Sequence, residues 1–194
     1  MPRTLTVLAF GALLFVTAAT AQDSWQIDPM HTAAQFSVRH LGISTVRGAF
    51  TKVSGSANYN PSNLSKTSID VTIDAASVDT RVSMRDDDLR SPNFFDVQKF
   101  PNITFKSKRV ESAGTGKMKI TGDLTMHGVT KEVVLDVDGP TAPMTDPRGT
   151  MHMGASATTK VNRKDFGINS DPSMVGDEIQ ITLDVELVKP VAAK

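Results

Sequence analysis

Cysteine is absent from the 194-residue sequence. Its absence excludes disulfides, thiol nucleophiles, iron–sulfur clusters and cysteine-based zinc sites. Net charge is absent too, with 21 basic residues against 21 acidic ones. Such a balance argues against nucleic acid, or a membrane surface held by electrostatics, as the partner. No G-x-S-x-G elbow, H-E-x-x-H pair, phosphate loop or dinucleotide fingerprint occurs, so neither catalysis nor a cofactor is expected. Gly114-Thr115-Gly116-Lys117 lacks the glycine spacing and following hydroxyl of a phosphate loop and reads as a hairpin turn. The four histidines, His31, His40, His127 and His152, lie on different segments. No metal site is expected from them, and His31, just after Asp28-Pro29, reads as a turn residue.

Long apolar runs are confined to the start. Met1–Ala21 carries Arg3, then the run Leu5–Val16, then small residues ending Ala19-Thr20-Ala21. That is the pattern of a cleaved secretory signal, with Gln22 as the new N-terminus and the periplasm as destination. The run is shorter than the ~20 residues a bilayer span needs, and nothing later approaches that length. No stable membrane insertion is therefore expected. Residues 22–194 read as one domain, of a size ordinary for a single core. Without disulfides, an exported domain depends on core burial and a closed hydrogen-bond ladder.

What is present is alternation. Ala34, Phe36, Val38 and His40 share one face; Val46, Gly48 and Phe50 share another in a strand read from Thr45 to Tyr59. Ile69, Val71 and Ile73 follow, then Ile103–Lys108, and then Met118, Ile120, Gly122, Leu124 and Met126. Val133, Leu135 and Val137 come next, then Met151, Met153, Ala155 and Ala157, and last the run from Ile179 to Leu187. Period two over such lengths marks one-faced strands, about eight of them, that close into a barrel or pack as a sandwich. Closure would remove exposed edges. The small inward residues Gly48, Gly122, Ala155 and Ala157, with flexible methionines, suggest interior space for an apolar guest. The alternative is a packed core with small residues at its corners.

One stretch breaks the alternation. Met84–Arg90 is a run of helix formers with the acidic Asp86-Asp87-Asp88. Pro92 ends it, and Phe94, Phe95 and Phe100 follow before Pro101. A short polar helix followed by phenylalanines is either a lid over something apolar or a plug that closes the barrel. Adjacent Phe94 and Phe95 can both face inward only on a helical or turn backbone through Ser91–Asp96.

Four blocks carry a resemblance. Phe36-Ser37-Val38-Arg39-His40-Leu41-Gly42 runs on to Val46-Arg47-Gly48-Ala49-Phe50. Leu89-Arg90-Ser91 precedes Phe94-Phe95-Asp96, Phe100-Pro101 and Thr104-Phe105. Gly122-Asp123-Leu124-Thr125 precedes His127-Gly128-Val129-Thr130, and Asn162–Ile168 forms the last block. In this order, from Trp25 to Lys189, they resemble the YceI-like family of exported bacterial lipid-binding proteins. Two positions depart from the family pattern. Asp88 stands where histidine is frequent, and Asn93 where an acidic residue is common.

The resemblance implies an all-β, lipocalin-like closed antiparallel barrel with a helical insertion near residues 84–96. It also implies an apolar chain held inside, no catalysis, and a homodimer as a frequent assembly. The expected apolar lining is Phe36, Val38, Val46, Phe50, Ile73, Phe94, Phe95, Phe100, Phe105, Met118, Leu124, Met126, Met153 and Phe166. His40, Arg85, Asp86, Arg90 and Arg163 are candidates for meeting a polar head group, since they fall near turns or the lid. The resulting expectation is a periplasmic carrier, store or scavenger of a polyisoprenoid or isoprenoid-quinone chain. A structural or stress-response interaction protein with a self-filled barrel is the alternative.

Overall fold

A strand with one apolar face must cover that face, and a sheet of such strands does so by curling around its own side chains. The computed structural model describes residues 24–190. Its strands are β1 (Ser24–Ile27), β2 (Ala33–His40), β3 (Ser44–Phe50), β4 (Val53–Asn58), β5 (Ser68–Asp74) and β6 (Val78–Asp79). The helix α1 (Ser83–Arg90) comes next. Then follow β7 (Asn102–Gly114), β8 (Lys117–Met126), β9 (Val129–Asp138), β10 (Met144–Thr145), β11 (Thr150–Asn162) and β12 (Val175–Pro190).

The sheet closes. From β11 the hydrogen-bonded order runs β9, β8, β7, β5, β4, β1 and β12, and β12 pairs back onto β11. All these pairs are antiparallel, and the ring is an eight-strand barrel with a lipocalin-like plan. Two wall positions are shared by bent strands. β1 and β2 both pair with β12, with Ile27 opposite Leu187 and Ala33 opposite Asp184, so Asp28–Thr32 bulges against Val185 and Glu186. β3 and β4 share the neighbouring position, β3 on β2 and β4 on β1.

The last observation corrects the single strand expected from Thr45 to Tyr59. The backbone breaks at Thr51–Lys52 because its two halves serve different partners. The freed amides are taken by the 3-10 turn Ala75–Ser77: Thr51 N–H donates to the Ser77 carbonyl at 3.1 Å and Lys52 N–H to the Ser77 hydroxyl at 3.1 Å. β7 is also longer than the expected Ile103–Lys108. A register shift between Ser107 and Arg109 changes which parity faces inward, so Ile103 and Phe105 share the interior with Val110. Alternation stops being readable at such a bulge.

The expected helix and turn chemistry is present. α1 is tied down by Asp86, which is buried and accepts from the Thr80 N–H at 2.8 Å and from the Thr80 hydroxyl. Past Ser91 the chain turns through residues 92–95. His127 and Gly128 have φ of 51° and 74° and form a two-residue hairpin turn. Both signs are positive, as the twist-matched hairpin turn requires.

Candidate functional site

Inside the barrel lies a cavity of about 270 Å³. Every wall contributes its apolar face. Ala34, Phe36, Val38 and Phe50 come from β2 and β3; Ile69, Val71 and Ile73 from β5; and Ile103 and Phe105 from β7. Met118, Ile120, Leu124 and Met126 on β8 face Val133, Leu135 and Val137 on β9. Met153, Ala155, Ala157 and Val161 on β11 and the odd positions Ile179–Leu187 on β12 complete it. Tyr59, Thr67 and Gln35 are among the polar residues that border it, almost wholly through their carbon atoms, and Arg163 is the one charged residue that borders it among the described residues.

The interior space does not come from the glycines. A Cβ on Gly122 would meet the Phe105 ring at 2.5 Å and the Lys106 carbonyl at 2.6 Å, and one on Gly48 would meet the Phe36 ring at 2.5 Å. Each glycine is a seat for a phenylalanine. Ala155, Ala157 and the methionines do border the cavity.

Phe94 and Phe95 both reach the cavity, Phe94 buried and Phe95 edge-on to Phe50 at 5.6 Å between ring centroids. The turn over residues 92–95 makes that possible. Three expected lining residues lie elsewhere. Val46 is opposite Val38, but it sits on β3, which flanks β2 there instead of closing the ring. Phe100 packs across the His127 ring at 4.8 Å, under the tight turn. Phe166 is 1% exposed and packs with Phe94, Met126 and Ile168 in one buried cluster, behind residues that border the cavity.

The head-group candidates are mostly committed to the chain itself. Arg85 donates to the Thr80 hydroxyl at 2.8 Å and the Thr80 carbonyl at 2.9 Å. Arg90 donates to the carbonyls of Ala76 at 2.8 Å and Val78 at 2.7 Å. Asp86 is occupied by Thr80, and His40 stands outside the cavity lining. Arg163 borders the cavity, yet its guanidinium donates to the carbonyls of Ile168, Ser170, Val175 and Gly176, and Asp177 lies 3.5 Å away. An arginine has five N–H donors. These are spent on folding the 163–177 loop. Asp88 and Asn93, the two departures from the family pattern, meet each other: Asn93 Nδ2 donates to Asp88 Oδ1 at 2.8 Å.

The expected lining also left out Leu89, Tyr59 and Thr67, residues such as Ile69, Val71, Ile103 and Ile120, the β9 face Val133, Leu135 and Val137, and the whole inner face of β12. β12 had the clearest alternation of all; what the alternation lacks is the identity of the opposite wall. One further grouping arises only from the fold. Asp28, His31 and Glu186 bring a ring nitrogen and two carboxylate oxygens within 4.8 Å of one another, on the outer wall. His31 is raised above its usual range by its hydrogen bond to Asp28, and His152 is raised by its hydrogen bond to Glu186.

Fold and interior define a closed, lipocalin-like β-barrel with an apolar chamber that, among the described residues, only the hydrogen-bonded Arg163 borders with a charge. By sequence the chain belongs to the YceI-like family, whose domain model matches residues 25–187. It is 36% identical to the protein YceI of Salmonella agona over 191 residues, 97% of this chain and 99% of the relative. BcnA of Burkholderia cenocepacia has a solved structure that superposes with a TM-score of 0.72 at 26% identity, covering 82% of this chain and 98% of that one. A polyisoprenoid binding domain from Saccharophagus degradans superposes with a TM-score of 0.64 over 86% of this chain and 98% of its own. At 14% identity that likeness is one of fold. No helix among the described residues is long and apolar enough to cross a membrane.

Proposed function

We propose that this protein holds a long apolar chain, of polyisoprenoid or isoprenoid-quinone type, inside the barrel and serves as a carrier, store or scavenger. The observation that carries the reading is the chamber: aliphatic and aromatic walls from every strand, with Arg163 already bonded to four carbonyls. A guest there is recognised by the water its hydrocarbon leaves. Each buried methylene contributes roughly 0.8 kcal/mol, so ten supply about 8 kcal/mol before ordering costs. Affinity of that size needs no dense set of polar contacts, and the protein acts as a binder with no chemical step. The polyisoprenoid-binding description of the S. degradans domain, which shares this fold, supports the ligand class.

The reading includes export, with cleavage after Ala21, a region outside the described residues. Native mass spectrometry of protein purified from a periplasmic extract without detergent tests both parts. The expected result is a chain beginning at Gln22 that carries an extra mass removable by organic solvent. A chain with no bound mass and no uptake of a fluorescent polyprenyl analogue would favour the self-filled barrel instead.

A further inference from the structure

Outside the barrel, the corner between β1 and β2 collects side chains that lipid binding does not use. Asp28 and His31 sit in the bulged segment, and Glu186 stands opposite them on β12. Glu186 lies between Val185 and Leu187, which border the chamber, so its carboxylate is on the outer face. The backbone holds the frame: Asp28 N–H donates to the Glu186 carbonyl at 2.9 Å, and Glu186 N–H to the Thr32 hydroxyl at 3.1 Å. Sheet pairing therefore sets the separation of Asp28 and Glu186.

Each donor group is itself oriented. Asp28 Oδ1 accepts the Met30 N–H at 2.9 Å, and Oδ2 faces His31 Nδ1 at 2.7 Å. Glu186 Oε1 meets His152 Nδ1 at 2.7 Å. Behind that ring, His152 Nε2 is buried without a hydrogen bond and faces Asp146 Oδ2 at 3.5 Å. Asp146 is anchored in turn by the N–H groups of Arg148 at 2.9 Å and Thr150 at 2.8 Å. A carboxylate–imidazole relay ending on a carboxylate oxygen is the kind of outer shell that orients metal ligands. As ion pairs alone these groups stabilise little, because His31 is 60% exposed and surface pairs contribute at most about 1 kcal/mol.

We propose that Asp28, His31 and Glu186 form a site for a divalent transition-metal ion of the zinc class, with water completing the coordination and His152 and Asp146 as positioning residues. An imidazole among the ligands selects against calcium and magnesium, which take oxygen donors. Donors about 2.1 Å from a tetrahedral ion lie roughly 3.4 Å apart. The donor atoms here fall within 4.8 Å, so side-chain rotations that move them by roughly an ångström bring the three onto one ion. The ion would take the place of the hydrogen shared by His31 Nδ1 and Asp28 Oδ2. It would clamp the corner where one bent strand passes from β1 to β2.

The test is calorimetric titration of untagged, chelator-treated protein with ZnCl2, with CaCl2 as the control. One zinc ion per chain and no calcium heat are expected. His31→Ala should weaken zinc at least 10-fold, and Asp146→Asn about 10-fold with unchanged stoichiometry. His40→Ala, at a histidine away from the cluster, should leave zinc binding as in wild type. Thermal unfolding confirms that each variant is folded. Equal zinc affinity in wild type and His31→Ala would mean an adventitious ion only and would overturn the site, as would no zinc binding at millimolar concentration. Because the cluster lies on the outer face, either outcome leaves the lipid reading untouched.

Discussion

Replacing Arg163 by lysine separates a residue that meets a ligand from one that folds a loop. The guanidinium donates to carbonyls at 3.1 Å (Gly176), 2.9 Å (Ile168), 2.7 Å (Ser170) and 3.0 Å (Val175). Lysine keeps the charge but offers three donors from a point on a flexible stem, where arginine offers five in a planar fork. At least one of the four carbonyls then loses its partner, and from a single ammonium position two are expected to. Each such loss in a half-buried setting costs about 1–2 kcal/mol, so Arg163→Lys should destabilise by roughly 3 kcal/mol. For a domain of this size that is a fall in Tm of roughly 10 °C. Circular dichroism melts of delipidated protein measure it. Uptake of a fluorescent polyprenyl analogue is measured in parallel, at a temperature where both proteins are folded. The expected outcome is a lower Tm with unchanged affinity. An unchanged Tm with lost uptake would refute the loop-folding role and return Arg163 to the ligand.

Phe95→Ala should speed release of a fluorescent lipid in stopped-flow measurements, acting on the dissociation rate more than the association rate, while the buried Phe94→Ala should also cost about 3–5 kcal/mol of stability. Equal release rates in wild type and Phe95→Ala would make the segment a plug. Gly122→Ala should lower the urea midpoint by the equivalent of about 1–3 kcal/mol, because its Cβ would meet both the Phe105 ring and the Lys106 carbonyl. An unchanged midpoint would show that the ring yields freely. Asp146 is held below its ordinary range chiefly by the Thr150 N–H, then by the Arg148 N–H and side chain and by His152. A depressed folded pKa means its contribution is present above the unfolded value near 3.8 and is lost as pH falls through the folded one. In an NMR titration of His152→Gln, which removes the neighbouring imidazole, the Thr150 amide should therefore move only below pH 3.8, and movement above it would count against the anchor.

The wall of the barrel was legible because alternation is a local property. Ile69, Val71 and Ile73, like Leu124 and Met126, border the cavity on the face their parity assigns. Parity failed where a bulge or a bend intervened, at Ser107–Arg109 and at Thr51–Lys52, since neither leaves a mark in apolar spacing. Phe100 and Phe166 are apolar and near inward residues in the chain, yet neither borders the cavity: Phe100 packs on His127, and Phe166 packs with Phe94 and Ile168. Composition alone does not distinguish lining from stopper.

From the sequence alone came the strands, their inward faces, the tight turn at His127-Gly128 and the interrupting helix with its two phenylalanines. Each depends on contacts within a few residues. Tertiary structure alone decided which walls face one another, that Arg163 spends its donors on a loop, and that Asp28 and Glu186 share a corner. Those depend on closure of the sheet, in which β12 pairs with β1 across more than 150 intervening residues. Register between strands that distant is set by the whole barrel at once, so no local pattern carries it.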